Sequence, residues 1–326
     1  MKTQTSRMDR VIAGACLGLL LGAGGCVGDG PGEPPLLEHG WVAQESISVN
    51  GLSTNGLSTN GLSTNGLSTN GLSTNGLSTN GLSAPSFATW FNGNESVAYS
   101  DMVMKYVVAC ALPSGQTRTW TNPVTGTSHS WAGALGLATG WTQGRPVTVA
   151  EQQLLSACLA AHVNKFGVSV PISARGRDSA GVAIPVTSSE AATYSELEAC
   201  FFGNLFSGEG LFAGSDRVLK KKESTTRACG LSSKSGGENT ECPPILHMGA
   251  CATVCTRDAT RAFWKSCVVN GVTYLPITTH LRPQDIYSCG DGVCQFTESC
   301  GNANTYDSCS ADCLACGTSP GGSRHR

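Results

Sequence analysis

Sixteen cysteines in 326 residues constrain this chain more than any other feature. Cys16 and Cys26 stand in or beside an apolar leader, and fourteen remain. Eight of them, Cys110, Cys158, Cys200, Cys229, Cys242, Cys251, Cys255 and Cys267, occupy the middle of the chain. Six more, Cys289, Cys294, Cys300, Cys309, Cys313 and Cys316, crowd near its end. Both groups are even, as expected where each closes its own disulfides in an oxidising compartment. Cys251 and Cys255 should take different partners, because cysteines four apart on a helix point poorly for a shared bridge.

The leader agrees with that compartment. Lys2, Arg7 and Arg10 precede an uncharged run from Val11 to Gly25, which reads as a secretory signal over 1–25. The run ends in "LGAGGC" and resembles a bacterial lipobox, with Ala23 where that motif prefers Leu or Val. The resemblance implies cleavage before Cys26, lipid on its thiol, and a protein held on a bacterial outer membrane, facing the cell surface or the periplasm. Several acyl chains at ~0.8 kcal/mol per CH₂ make such an anchor lasting. Only Lys220, Lys221 and Lys222 form a basic run, and 21 basic residues against 23 acidic leave −2. That excludes a nucleic-acid surface, which needs a clustered basic stripe.

Residues 26–85 read as a lipidated N-terminus and a spacer. "GLSTN" repeats six times from Gly51, and no charge lies between Glu45 and Glu95. A pentapeptide β-helix is the rival reading. Asn55, two residues before Leu57, is too large for its inward corner, and six repeats are too few coils to stand alone.

A folded domain is expected over 86–285. Tyr99, Val103, Tyr106, Val107 and Cys110 share one helical face. "QTRTWTNPVTGTSHSW" reads as a hairpin. Thr148 and Glu151 form a capping box for a helix burying Leu155, Cys158, Leu159, His162 and Phe166. Pro171 pushes "VSVPIS" toward a sheet edge, and a further helix is expected from Ser189 to Phe206. Asn270-Gly271 marks a second hairpin. Helices and strands do not alternate in a βαβ rhythm, so the expected class is α+β: a disulfide-stapled domain with a small cysteine-rich module at 286–316 and a tail at 317–326.

The segments "ATWFN", "MVMKYVVACALPSGQ", "WAGALGLATGW", "EQQLLSACLAAHVNKFGVSVPISARG" and "FFGNLF" resemble a domain recurring in myxobacterial lipoproteins. "CGDGVCQFTESCGNANTYDSCSADC" resembles a myxobacterial cysteine-rich repeat, with a longer third gap. These resemblances imply an envelope location and no particular reaction.

Catalytic signatures are absent: no GxSxG, HExxH or GxxxxGK[ST] occurs. His129 beside Ser128 and Ser130 is a candidate base, with Asp101 or Asp178 to orient it. A polar hairpin face is the plainer reading. His162, on an apolar helix face, reads as a core histidine bonded to backbone. Cys242, His247, Cys251 and Cys255 have zinc-like spacing, which an oxidising compartment turns into disulfides. Trp120, Trp131 and Trp141 could stack on sugar rings, against a reading as core. Asp291, Glu298, Asp307 and Asp312 could hold calcium on a rigid framework. The expectation is a membrane-anchored binding or structural lipoprotein with no catalytic residues named. Its partners would be an envelope protein or polysaccharide. The rivals are a tethered hydrolase and a calcium-dependent adhesive module.

Overall fold

The computed structural model describes residues 72, 76–93, 96–163, 170–220, 222–225, 227, 244–295, 298 and 309–313, with the backbone of 47–49. All lie in one compact unit, Trp41–Arg326. Helix and sheet segregate as an α+β fold. Six strands form the main sheet in the order β1 (Ile47–Val49), β4 (Pro171–Arg175), β12 (Ile277–Leu281), β5 (Glu196–Asn204), β6 (Gly210–Ser215) and β8 (Ile245–Ala250). Neighbours are antiparallel except β6 and β8. Helices α2 (Pro85–Gly93), α3 (Val97–Ala111) and α5 (Val149–Ala161) contribute to the core on one side of the sheet, where Phe201, Leu211 and Ile277 meet Leu155, Leu159 and Val107. A small sheet of β9 (Cys255–Arg257), β10 (Trp264–Val269) and β11 (Val272–Tyr274) covers part of the other face, burying Phe202 and Phe212 under Trp264 and Tyr274.

Local chemistry accounts for the elements. Thr148 Oγ1 accepts from the Glu151 amide at 3.3 Å and Glu151 Oε2 accepts from the Thr148 amide at 2.9 Å, the reciprocal box that starts α5. Asn270 and Gly271, at φ 51° and 79°, make the tight turn between β10 and β11. Strands β2 (Thr117–Thr121) and β3 (Ser128–Ala132) form the first hairpin, with Trp120 opposite His129.

Two readings of the sequence change. The expected helix from Ser189 to Phe206 is a short helix, α6 (Ser188–Thr193), followed by β5. Ala199 through Phe202 are all buried because both sheet faces are covered there, and such a continuous apolar run carries no period to separate strand from helix. Pro171 does begin a strand, but β1 pairs outside it, so β4 is interior.

The body also begins before Ser86. Leu72, Leu77 and Leu82, each five residues apart, are 0%, 0% and 2% exposed within the helical core. The Leu77 amide donates to the Trp141 carbonyl at 2.9 Å, and Trp141 Nε1 donates to the Leu72 carbonyl at 2.7 Å. Arg118 bridges the Leu77 and Thr142 carbonyls at 2.9 and 2.8 Å. Gly76 has φ 73°, and a Cβ there would lie 2.4 Å from the Gly144 Cα, so this docking demands the repeat's glycine. Residues 26–46 (Cys26 among them), 50–71 and 73–75 of the spacer lie outside the described residues, as do the signal and the tail.

Five disulfides are described, each within its own group: Cys110–Cys158, Cys200–Cys251 and Cys255–Cys267, then Cys289–Cys309 and Cys294–Cys313. Cys251 and Cys255 take different partners. Cys229, Cys242, Cys300 and Cys316 lie outside the described residues.

Two predictions follow from this packing. Leu77→Ala should lower stability by about 2–5 kcal/mol, the range for a buried leucine. A loss under about 0.5 kcal/mol in urea denaturation would return that copy to a solvated spacer. The buried pair Arg227–Glu198, at 2.6 Å and 0% exposure on both sides, should behave as a linked unit. Arg227→Ala should cost about 3–5 kcal/mol, and Arg227→Met with Glu198→Leu should recover most of it.

Candidate functional site

The first hairpin places Trp120, His129 and Trp131 toward α2 and α3. His129 Nδ1 and Trp131 Nε1 both lie 2.8 Å from Asp101 Oδ1. Asp101 therefore accepts a hydrogen bond from Nδ1–H, and a neutral ring so held carries its lone pair on Nε2, the tautomer a general base requires. Nε2 is buried and has no hydrogen-bond partner among the described residues. Phe91, Trp120 and Trp131 surround the ring at 4.9, 5.8 and 5.9 Å. Ser128 and Ser130 project from the other face, where they bond Thr121 and Thr119 at 2.9 and 3.4 Å. The base and its expected nucleophiles thus stand on opposite faces of one strand. Asp178 instead accepts from the Ala180 and Val182 amides and organises its own turn.

A second serine–histidine contact has the opposite tautomer. Ser215 Oγ lies 2.9 Å from His247 Nε2, while His247 Nδ1 accepts from the Gly249 amide at 3.1 Å. A neutral ring carries its proton on Nε2 and donates to Ser215, so it cannot take the serine proton. Burial lowers the His247 pKa and favours this neutral form. Asp216, next in the chain, is held by Arg257.

The other expected residues are structural. Trp120, Trp131 and Trp141 are 7%, 3% and 0% exposed, which corrects the sugar-stacking face. Trp120 and Trp131 pack between the hairpin and α2, and Trp141 packs against Phe206 and the repeat. His162 is buried, with Nδ1 2.7 Å from the Cys158 carbonyl. In the zinc-like cluster, Cys251 and Cys255 are oxidised, His247 is engaged, and Cys242 lies outside the described residues. Asp312 accepts from the amides of Gly290, Asp291 and Gly292 at 2.6, 3.3 and 3.0 Å, pinning the "CGDG" turn. Those amides hold its carboxyl below the usual range. Asp291 bonds the Val293 amide and the Gln295 side chain. Glu298 bonds the Gln295 amide, and burial raises its pKa. Asp307 lies outside the described residues, and no three of the described acids converge within 4.8 Å.

What opens to solvent is a polar groove of about 440 Å³ between the last repeat and the hairpin. Leu82 and Arg118 line it, with Ser78, Thr79, Thr117, Thr119, Thr142 and Gln143. Arg118 spends its donors on the Leu77, Thr142 and Thr117 carbonyls, so it shapes the groove more than it charges it. Reading the repeat as a spacer hid this site. The available signal was the five-residue recurrence of leucine.

A family model described as GLTT repeat (6 copies) matches residues 47–73 and 66–90. The matched span runs from β1 through α1 (Thr79–Leu82) into α2, so it includes the docked units around Leu72, Leu77 and Leu82. No curated protein and no solved structure matches the chain.

Acid should weaken this fold through its histidines. Burial first, and then Arg227, brings His162 down to about 4 against the pull of the Cys158 carbonyl. Burial, Arg175 and Arg257 bring His280 to about 3, against the Tyr194 carbonyl. An unfolded histidine titrates near 6.5. Between about pH 6.5 and 4 the unfolded chain binds more protons, so stability is full above that window and falls as pH drops through it. Unfolding at pH 5 should take up about two protons from these sites. A transition temperature that stays flat from pH 7 to 4.5 in calorimetry would contradict their burial as neutral rings.

Proposed function

We propose that this chain is a lipid-anchored bacterial envelope protein that binds a hydroxyl-rich polymer, a polysaccharide, in the groove beside its last repeat. The groove's chemistry carries the reading. Hydroxyls and an amide ring a cavity large enough for a small ligand, with no uncompensated charge to select an anion. Such a surface recognises neutral sugars by exchanging hydrogen bonds with them and with bridging water. The five described disulfides support an oxidising compartment. The leader ending at Cys26 supports an anchor, and the resemblance to myxobacterial lipoproteins supports the same location.

A second reading, a tethered hydrolase, has the Asp101–His129 pair in its favour. It needs the aromatic enclosure to open and a nucleophile from elsewhere.

The anchor is tested by palmitate labelling: Cys26→Ser should abolish incorporation and release the protein from membranes. Binding is tested on immobilised envelope polysaccharide. Thr79→Val with Gln143→Ala, both at the rim, should weaken retention about tenfold, near 1.4 kcal/mol, with an unchanged transition temperature. Equal retention of wild type and double variant removes the groove from the reading. Hydrolysis of the polysaccharide that His129→Gln abolishes would favour the second reading.

A further inference from the structure

Four sulfur atoms meet on the sheet face covered by β9–β11. Cys200 comes from β5, Cys251 opens helix α7 (Cys251–Val254), Cys255 begins β9 and Cys267 lies on β10. They are joined as Cys200–Cys251 and Cys255–Cys267. The two bridges touch: Cys255 Sγ lies 3.6 Å from Cys200 Sγ, and the sulfurs of Cys200, Cys255 and Cys267 all fall within 4.8 Å of one another. Access is graded. Cys200, Cys251 and Cys267 are 0% exposed, whereas Cys255 is half-buried. The arrangement depends on a bare backbone, since a Cβ on Gly214 would stand 2.9 and 3.0 Å from the Cys200 and Cys251 sulfurs.

Two structural staples need no contact between them. Adjacent disulfides with one reachable sulfur have a reaction available, because exchange proceeds by thiolate attack on a neighbouring disulfide sulfur. We propose that Cys200, Cys251, Cys255 and Cys267 form a thiol–disulfide exchange site, entered at Cys255 by an external dithiol, in which Cys200 trades Cys251 for Cys255.

The first step is reduction. One thiolate of the dithiol attacks Cys255 Sγ, the Cys255–Cys267 bond breaks, and Cys267 leaves as a thiolate that takes a proton. The dithiol's second sulfur attacks the first, closing its own disulfide and releasing Cys255 as a thiolate. Two electrons have passed from the dithiol to the protein. In the second step Cys255 attacks Cys200 Sγ: the Cys200–Cys255 bond forms, the Cys200–Cys251 bond breaks, and Cys251 leaves and takes a proton. This step is an isomerisation with no net electron transfer. It carries the reduced pair inward, to Cys251 and Cys267, and unties α7 from β5. The compact four-sulfur geometry serves that transfer, because neither strand has to move far for the new bond.

The test uses the whole chain and dithiothreitol as the dithiol. Free thiols are blocked with excess iodoacetamide; linkages are read from a portion digested without reduction, and in a second portion the bridged cysteines are reduced and tagged with N-ethylmaleimide. Ala252, Thr253 and Val254 separate Cys251 from Cys255, so fragment ions assign the tags. In Cys267→Ser, iodoacetamide should divide between Cys251 and Cys255, and a Cys200–Cys255 linkage should be recovered. Label on Cys255 alone, with only Cys200–Cys251 recovered, overturns the proposal. Should that variant fail to fold, limited reduction of the wild type decides. The Cys200–Cys255 linkage should appear while the fully buried Cys110–Cys158 bridge persists. Reduction that yields only native bridges and their free thiols overturns it.

Discussion

Arg227 is a charge with no exposure at all, and its position joins the two layers of the fold. Its guanidinium donates to Glu198 Oε1 at 2.6 Å, to the Val163 carbonyl at 2.9 Å and to the Ala161 carbonyl at 2.6 Å. Ala161 ends α5, where a helix leaves acceptors unpaired, and Val163 lies two residues beyond it. The carboxylate belongs to β5, near the centre of the sheet. One planar group thus closes a helix, neutralises a buried acid and lies 5.7 Å over the Phe201 ring. A lysine would supply the charge without the fork that reaches three acceptors in different directions. Desolvating such a pair is costly, so its worth lies in what its loss would strand. The helix layer cannot slide on the sheet without leaving Glu198 alone in the core. The same cation helps to hold His162 neutral.

With the layers fixed, the repeat acquires a defined destination. Leu72, Leu77 and Leu82 enter the helical core, and β1, upstream of the repeat, pairs with β4 at the far edge of the sheet. A segment read as polar filler therefore supplies both an edge strand and part of the core. Each five-residue unit has one apolar side chain, which is too little to show any helix or strand period, so periodicity could not reveal the docking. The buried face exists only once Trp141, Arg118 and Gly144 have come together from distant parts of the chain. Elements whose cause is local were legible: the capping box of α5, the Asn270-Gly271 turn, the α3 face and the separate partners of Cys251 and Cys255. Those decided by tertiary covering were not. β5 is a strand because two layers enclose it, and β4 is interior because β1 arrives from far upstream.

The candidate site divides along the same line. Chemical identities were readable, and orientation was not. The sequence offers Asp101 or Asp178 to orient His129, and Asp101 is the one that meets it. Strand alternation then sends Ser128 and Ser130 the other way, and Trp120 and Trp131, readable as core or as a ligand face, pack as core around the histidine. In the terminal module, Asp312 spends its oxygens on three backbone amides. An acid that reads in sequence as a hard ligand for a cation serves in the fold as the anion that fills a turn.

The groove takes its shape from a chain of bonds that begins at a helix cap. Glu151 offers Oε2 to the Thr148 amide and hydroxyl, each at 2.9 Å, which is all a capping box requires. Its second oxygen, Oε1, accepts from the Trp141 amide at 2.9 Å and so fixes the short helix α4 (Thr139–Thr142) against α5. Trp141 then grips two successive units of the repeat, through its indole to Leu72 and its carbonyl to Leu77. Thr142 and Gln143, the next residues, are thereby set opposite Ser78 and Thr79 across the groove. A cap read from four letters of sequence thus reaches, through one carboxylate and one tryptophan, the wall of the groove. The polar rim is as firm as that helix start, although its own side chains are exposed and make few bonds among themselves.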